Sequence, residues 1–339
     1  MESKIAPGNH LTQPTTTAAP ATLPAFEVAI ERPDLAPWRA GNTAIPGFTT
    51  LVAEAAGPHL LLLSLMHGNE FAGAIVLDRL LRENLRPLRG RLTFGFVNLA
   101  AFDAFDPAHP TATRFIDEDL NRIWDPALLE GPRRSVELAR ARAILPAVEA
   151  ADVVLDLHSM LWPSDPLILC GATQHSRALA EAIGSPSLVV ADHGHGNGAR
   201  LIDHPRFTAE PGAPRALLVE AGQHWQSATV DMAAASVAGL LRHLGLARNH
   251  PALLPPATLP QPVLAKRTAE VTVVVTANTG SFAFVRSFRG GEVIPRRNTL
   301  IALDGTTEIR TPHDDCLLVM PSLRPSRGHT AVRLGRFVG

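Results

Sequence analysis

His67 and Glu70 are the first residues of this sequence whose types and spacing point to chemistry. They follow the apolar run 60–66 (LLLLSLM), and a His and a carboxylate three positions apart can bind one metal ion. Further along the chain, His158 ends the apolar segment VVLDLH and Glu220 ends the segment ALLVE. A His/Glu/His set leaves zinc a fourth position for water, which a hydrolytic site requires. We therefore predict a metal site at His67, Glu70 and His158.

Two acidic residues accompany these candidate ligands. Asp156 lies two residues before His158, so on a strand it shares a face with His158 and can accept the second ring N–H. Glu220 lies in an apolar run, where burial is expected to raise its pKa. A carboxyl group in that state suits a general base that then becomes an acid. We expect Glu220 to activate water and to protonate the leaving amine.

A polar loop at 99–125 carries the run RFIDEDLNR at 114–122. Long loops inside compact domains are usually functional or disordered, and the density of charge favours a functional loop. Guanidinium groups bind carboxylates through paired N–H donors, and an arginine beside a metal stabilises a developing oxyanion. In isolation the run equally suits a solvated loop in which Arg and Asp pair, so both interpretations stay open here.

An α/β sheet would bring these residues together. The pattern predicts strands at 26–30, 48–53, 60–66, 91–98, 153–158, 167–170, 188–191 and 216–220, and helices at 71–87, 133–150, 176–183 and 230–246. Segment 48–53 is expected to pair with the strand that begins at Leu60. The order strand, helix, strand is that of a parallel crossover, and ligands bind at the carboxyl edge of such sheets. The predicted fold class is α/β, with a mixed, mostly parallel, doubly wound sheet flanked by helices.

The composition of the chain changes twice along its length. Residues 1–24 are rich in Thr, Pro and Ala, which predicts a flexible tail, and a catalytic domain is expected at 25–250. A Pro-rich linker at 249–262 precedes a pattern of strands only, so we predict a small all-β domain at 258–339. The expected strands of that domain are 270–277, 280–285, 292–294, 299–302 and 316–320.

The bulk composition narrows the class of protein. The chain has 339 residues, 46% of them hydrophobic, and a net charge of -1, so we expect neither nucleic acid nor an anionic membrane as a partner. No apolar window is long enough to span a bilayer and no secretory signal is evident, so a cytoplasmic protein is expected. Cys170 and Cys316 lie far apart, which fits a reducing compartment. The sequence leaves open whether the chain forms a homo-oligomer.

The segment 192–198 (DHGHGNG) alternates glycine with polar residues. Glycine at this spacing destabilises both helix and strand, so a mobile loop near the mouth of the site is expected. The histidines at 193 and 195 could also bind a metal, which is the less favoured interpretation.

Four motifs resemble one known family. The motifs are HGNE at 67–70, RFIDEDLNR at 114–122, DLHS at 156–159 and VEAGQ at 219–223. They resemble, in order and spacing, the succinylglutamate desuccinylase and aspartoacylase family, a branch of the zinc carboxypeptidase-like fold. The β-rich C-terminal region also resembles the smaller domain of that family.

This resemblance implies a role for each candidate residue. It implies one zinc ion per chain, bound by His67, Glu70 and His158. It implies Glu220 as the general base and acid, and Arg114 as the group that polarises the scissile carbonyl. It also implies that Asn121 and Arg122 hold a substrate carboxylate.

The expected function is a zinc-dependent amidohydrolase that cleaves a small N-acyl amino acid into a carboxylate and an amine. One alternative is a zinc carboxypeptidase that acts on short peptides. An alternative of another class is a catalytically inactive homologue that binds a small molecule. All the proposed catalytic positions are intact, which favours an enzyme.

One departure from the family concerns tyrosine. Relatives of the aspartoacylase and carboxypeptidase kinds place tyrosines around the substrate, and this sequence has none. The substrate pocket is therefore expected to differ, with Arg200, Arg206 or the loop 192–198 as replacements for those contacts. The family also tends to have an arginine upstream of the catalytic Glu, and Arg206 and Arg215 compete for that position.

Overall fold

The computed structural model describes residues 24–194, 196–209, 212, 214–248, 250 and 266–338. The predicted tail, apart from Pro24, and most of the predicted linker lie outside these residues, as does His195 of the loop 192–198. The division into a catalytic domain at 25–250 and a second domain at 258–339 stays a prediction.

The described residues form strands and helices in alternation, followed by strands alone. The strands are β1 (Phe48–Val52), β2 (His59–Ser64), β3 (Arg91–Phe96), β4 (Val153–Met160), β5 (Leu167–Leu169), β6 (Leu188–Ala191), β7 (Arg215–Gln223), β8 (Arg267–Thr276), β9 (Phe282–Phe284), β10 (Val293–Ile294), β11 (Leu300–Asp304), β12 (Thr307–Arg310), β13 (Cys316–Val319) and β14 (Thr330–Val338). The α-helices are α1 (Ala72–Arg82), α2 (Leu99–Asp103), α3 (Pro126–Glu130), α4 (Val136–Ala150), α5 (Gln174–Ile183), α6 (Pro205–Thr208) and α7 (Ser227–His243). Short 3₁₀ helices occur at Ala36–Trp38, Leu120–Arg122 and Leu201–Asp203.

One sheet organises the molecule, with strand order β1-β3-β2-β4-β7-β5-β6-β8-β14-β13-β10. Strands β3, β2, β4 and β7 are neighbours and run parallel, and β5 to β6 and β6 to β8 are also parallel pairs. Strands β1 and β5 pair antiparallel with β3 and β7. The prediction of an α/β fold with a mixed, mostly parallel sheet flanked by helices is confirmed.

The leucines at 60–63 show why the sequence of the central strand β2 is an uninterrupted apolar run. All four are completely buried, because helices cover both faces of β2. Leu60 and Leu62 belong to a core that contains residues of α1, α5 and α7, whereas Leu61 and Leu63 belong to a core that contains residues of α4. The sheet is therefore doubly wound, with helices on each side.

Two local predictions near the N-terminus are wrong. Strand β1 pairs antiparallel with β3 and not with β2, because both edges of β2 are already hydrogen-bonded to β3 and β4. The segment 26–30 forms no strand, although Ala29 N–H donates to the Trp225 carbonyl. Its alternating apolar residues are buried by side-chain packing and not by strand pairing. The Phe26 ring, for example, meets the Trp162 and Trp225 rings edge to face.

The described C-terminal residues, 266–338, contain strands and no helix, as predicted. Strands β8, β14, β13 and β10 continue the large sheet through the pairing of β8 with β6, and β12, β11 and β9 form a separate sheet. The sequence analysis does not predict β12 or β14. In β14, Arg333, Gly335 and Arg336 interrupt the apolar pattern that would mark a strand.

No helix within the described residues is both long enough and apolar enough to cross a membrane.

Candidate active site

The ends of three adjacent parallel strands, β2, β4 and β7, form the candidate site. In the register of the sheet, Leu63 pairs with Asp156 and His158 pairs with Glu220. His67 follows β2 after Leu65, a buried residue with a φ of 61°, in the left-handed region that leucine seldom adopts. Strained backbone of this kind persists where the surroundings determine it. Here the left-handed turn ends β2 and starts the segment that carries His67 and Glu70.

Gly68 has a packing role between these two residues. A Cβ at this position would overlap the backbone of Ala101 and Phe102 in α2. Its N–H donates to the Arg114 carbonyl at 3.0 Å. The close approach that glycine permits therefore ties the loop 67–70 to the loop that supplies Arg114.

His67, Glu70 and His158 form a buried group whose donor atoms all lie within 4.8 Å of one another. Nδ1 of His67 is 2.8 Å from Glu70 Oε1, and Nδ1 of His158 is 3.1 Å from Glu70 Oε2. Although it lies this close to Glu70, the buried Nδ1 of His67 does not meet Glu70 with hydrogen-bond geometry and has no hydrogen-bond partner. Two imidazole nitrogens and one carboxylate thus converge on a common point, which is a donor set suited to a metal ion.

The other ring nitrogen of each histidine meets a carboxylate. Nε2 of His67 lies 2.9 Å from Asp119 Oδ1, and Nε2 of His158 lies 2.7 Å from Asp156 Oδ2. Such carboxylates fix the tautomer and the ring orientation of metal-binding histidines, and they make the facing nitrogen more basic. Each imidazole therefore has one nitrogen directed at the candidate metal position and the other held by a carboxylate, which is the arrangement that a metal ion requires.

The charges around the group favour a cation. Although burial opposes ionisation, His67, His158 and Arg114 hold the pKa of Glu70 well below its usual range. Burial also opposes the charged form of His158, yet Asp156 and Glu70 raise its pKa. Anionic surroundings that favour a proton on an imidazole also favour a metal ion beside it.

Glu220 lies on β7 beside this group. It is buried, and its Oε2 has no hydrogen-bond partner. Burial raises its pKa to about 8, and the nearby charge of Glu70 acts in the same direction. A carboxyl group near neutrality in this position can exchange a proton with a molecule held at the three candidate ligands.

Arg114 connects the loop to the group. It donates from Nη1 to Glu70 Oε1 at 2.7 Å and from Nη2 to Asp119 Oδ2 at 3.3 Å. Although burial opposes the charged form of Asp119, His67 and Arg114 hold its pKa well below the usual range. Arg114 is therefore a fixed positive charge beside the candidate metal ligands.

Asn121 and Arg122 lie on the far side of Asp119. Arg122 Nη2 is 4.0 Å from Asp119 Oδ2, and the Asn121 side-chain oxygen accepts from Leu201 N–H at 2.9 Å. Burial lowers the pKa of Arg122 to about 10; Asp119 acts against this shift, and the weaker repulsion of Arg114, Arg200 and Arg333 adds to it. Such crowding of positive charge is relieved by a bound anion.

A cavity of about 160 Å³ opens above Glu70 and Glu220. Its charged and polar lining, called the charged floor below, includes Glu70, Arg114, Ser159, Glu220 and His224. Its apolar lining, called the apolar wall, consists of Met160, Leu161, Trp162, Met320 and Pro321. Ser164 and Ser322 complete the lining.

Comparison with known families decides the class of protein. The family described as "Succinylglutamate desuccinylase/Aspartoacylase catalytic domain" matches residues 56–244, more than half of the 339-residue chain. The chain belongs to this family. Family membership supports a hydrolase of the deacylase type and confirms the resemblance inferred from the motifs. No curated protein sequence matches the chain.

Solved structures of the desuccinylase and aspartoacylase family share the fold. A succinylglutamate desuccinylase from Vibrio parahaemolyticus has 17% identity and a TM-score of 0.64, over 87% of both chains. A succinylglutamate desuccinylase/aspartoacylase from Rhodobacter sphaeroides has 21% identity and a TM-score of 0.62, over 87% of this chain and 89% of that one. An aspartoacylase family protein from Mesorhizobium loti has 18% identity and a TM-score of 0.58, over 87% and 90%.

Several residues of the candidate site were not singled out from the sequence. Ser159 Oγ lies 2.7 Å from His224 Nδ1, and Ser159 N–H donates to Glu70 Oε2 at 3.0 Å. Burial lowers the pKa of His224 to about 4, so this imidazole is neutral near pH 7. His224 could have been predicted from its position, because it follows the end of the same strand that carries Glu220.

Glu137 on α4 supports the loop from below and is completely buried. Its carboxylate accepts from the backbone N–H groups of Ile116, Asp117 and Glu118 at 2.7, 3.0 and 3.2 Å. It also accepts from Asn98 Nδ2 at 3.0 Å. Nothing in the sequence signals this role, because the two segments are joined only by the fold.

Arg200, Arg206 and Arg215, the arginines considered as substitutes for family contacts or for the family's upstream arginine, lie in different parts of the structure. Arg200 is near Asn121 and is bound to Asp192 and Asp203, with Asp192 also accepting from Arg333 Nε at 2.9 Å. Arg206 donates to the Ala151 carbonyl, and Arg215 begins β7, at the end of that strand opposite Glu220. Of the three, Arg200 is the one on the side of the sheet that carries the candidate site.

Proposed function

We propose that this protein is a zinc-dependent amidohydrolase that hydrolyses the amide bond of a small N-acyl amino acid. The observation that carries the proposal is the group His67, Glu70 and His158, with a carboxylate behind each imidazole and with Glu220, whose Oε2 has no hydrogen-bond partner, beside it. Zinc bound by these three residues would supply a Lewis acid that lowers the pKa of bound water and polarises a carbonyl.

The residues of this chain then have distinct tasks. Glu220 removes a proton from the attacking water, and the same carboxyl group, raised in pKa, returns that proton to the departing nitrogen. Arg114 donates N–H groups toward the oxygen on which negative charge develops. The amide is thereby split into a carboxylate and an amine.

The substrate carboxylate has a separate partner. Arg122 is partly exposed, and its nearest carboxylate is that of Asp119, at 4.0 Å. Guanidinium groups bind carboxylates through paired N–H donors, so Arg122 can hold a substrate carboxylate, whereas the neighbouring Arg200 and Arg333 are already paired with Asp192 and Asp203. Asn121, anchored by Leu201 N–H, holds the loop beside Arg122.

The test is a metal analysis followed by a hydrolysis screen of the full chain. We expect one zinc per chain and release of free amine from N-acyl amino acids varied separately in acyl group and side chain. Short peptides hydrolysed in preference to these amides would identify a carboxypeptidase. Failure to bind metal under reconstitution would identify an inactive binding homologue and would contradict the proposal.

A further inference from the structure

The lining of the cavity contrasts with what the acidic substrates in the family name would need. Succinyl and aspartyl groups carry a carboxylate beyond the one that Arg122 would hold. A buried carboxylate is stable only when a cation or several N–H donors compensate for its lost hydration. The charges and hydrogen bonds of the cavity therefore indicate which substrate group fits there.

Arg114 is the one arginine or lysine among the described residues that line the cavity. Its two terminal nitrogens already donate to Glu70 and Asp119. In the proposed reaction it also faces the oxygen of the scissile carbonyl. A second substrate carboxylate would therefore compete with existing partners of Arg114, while lying close to the carboxyl groups of Glu70 and Glu220.

The neutral polar groups of the lining are largely occupied. Ser159 Oγ pairs with His224 Nδ1 at 2.7 Å, and Ser164 Oγ donates to the Asp165 carbonyl at 3.1 Å. These contacts leave few donors for a carboxylate. The apolar wall, by contrast, offers the thioether, aliphatic and indole surfaces of Met160, Leu161, Trp162 and Met320.

The wall is also held in place. The Trp162 ring meets the Phe26 ring edge to face, with centroids 5.7 Å apart. Met160 is 7% exposed at the end of β4, and Met320, with a φ of 50°, follows β13. The cavity volume of about 160 Å³ is below the range of roughly 300–1,000 Å³ typical of sites for drug-sized ligands. It suits one substituent and not a whole peptide.

We propose that the cavity binds an uncharged, apolar substituent of the substrate, aliphatic or aromatic, and excludes a second carboxylate. This inference rests on the proposed function and narrows its substrate class to N-acyl amino acids that carry one carboxylate, with an apolar group on the acyl or the amine side.

The test uses two pairs of substrates of matched shape with the zinc-loaded full chain. N-acetyl-leucine and N-acetyl-aspartate differ in the side chain, and N-(4-methylpentanoyl)-alanine and N-succinyl-alanine differ in the acyl group. We expect kcat/KM to favour the apolar member by at least about tenfold in the pair whose variable group enters the cavity. Binding of the free products leucine and aspartate, measured by calorimetry, gives a readout that does not depend on turnover.

Two variants of Met320 test whether the apolar wall causes the preference for the apolar substrate. Met320→Lys adds a cation to the apolar wall and is expected to shift the ratio of kcat/KM toward the anionic member. Met320→Gln, of similar size but neutral, is expected to leave the anionic substrate disfavoured. The same shift in both variants would attribute the change to loss of the thioether and would count against the charge argument.

Two further outcomes would contradict the inference in distinguishable ways. Hydrolysis that favours the anionic member, or neither member, in both pairs would overturn the inference and leave the amidohydrolase proposal standing. Hydrolysis of none of the four compounds by protein with stoichiometric zinc would overturn the proposed function, and the inference with it.

Discussion

The charged floor and the apolar wall of the cavity differ in how the chain builds them. Floor residues Glu70 and Glu220 lie near the strand ends that the parallel sheet brings to one edge, and hydrogen bonds from Arg114 in the loop and from Ser159 in β4 fix Glu70. Wall residues Leu161 and Met320 lie just beyond β4 and β13, outside regular structure. We infer that the sheet determines the chemistry, whereas the segments after the strands determine which substrate reaches it.

The largest effect is expected at Glu220, in the floor. Glu220→Gln keeps the shape of the side chain and removes its ability to carry a proton, so kcat should fall by about 10²- to 10⁴-fold on every substrate. Zinc content, measured on the same preparation, should stay at one per chain. Near-native turnover in this variant would remove Glu220 from the mechanism.

A pH titration of stability tests whether the floor holds a neutral imidazole. His224 has a folded pKa of about 4 against an ordinary value of 6.5, so between these values the unfolded chain binds one more proton. The contribution of His224 to stability should therefore fall as the pH drops from 6.5 to 4, by about 1.4 kcal/mol per pH unit and about 3 kcal/mol in all, while Glu220, whose pKa is raised to about 8, contributes in the opposite direction above about pH 4.5.

Denaturant unfolding across this pH range measures the slope. His224→Asn, which retains an oxygen near the position of Nδ1 for Ser159, should lose this part of the slope. The same substitution at His243, exposed at the end of α7, is the control and should keep the parent's slope. An unchanged slope in the His224 variant would show that His224 is charged in the folded protein.

Glu137 is expected to connect stability with the position of Arg114. Glu137→Gln replaces an acceptor of three backbone N–H bonds with a group that also donates, so at least one N–H is left unsatisfied. The free energy of unfolding should fall by about 1–3 kcal/mol, with a loss in kcat/KM that is similar for apolar and anionic substrates.

Glu149→Gln, the same substitution at an exposed position of α4, should change neither quantity. A change in substrate preference in the Glu137 variant would mean that the loop 114–122 shapes the wall as well as the floor.

An effect confined to metal affinity is expected at the carboxylates behind the candidate metal ligands. Asp156→Asn should weaken zinc binding by about 10- to 100-fold, because the amide holds the His158 ring less firmly than the carboxylate does. Competition with a zinc chelator measures the affinity. Asp152→Asn, just before β4 at the opposite edge of the sheet, is the control, and an equal loss in both variants would contradict a specific role for Asp156.

The strands of the sheet and the residues at their ends could be predicted from the sequence because both depend on local patterns of apolar and polar residues. The leucines at 60–63 indicate a strand buried on both faces, and a parallel sheet then brings His67, His158 and Glu220 to one edge. The pairing of β1 was missed because apolar alternation indicates a strand but does not choose its partner.

Contacts between distant segments could not be predicted in the same way. Glu137 and the loop at 116–118 meet only after α4 packs on the sheet, so no spacing rule links them. Arg333 interrupts the pattern of β14 and acquires its buried position from Asp192, far away in the sequence. The wall likewise combines residues after β4 with residues after β13.

The pairing of β6 with β8 has a consequence for truncated forms of this protein. A chain that stopped before β8 would leave the N–H and C=O groups of β6 open along its free side, a template for association with other chains. Asp192 would at the same time lose Arg333. The C-terminal strands thus cover an edge that could pair with other chains, and isolated N-terminal fragments should aggregate even where every residue of the candidate active site is retained.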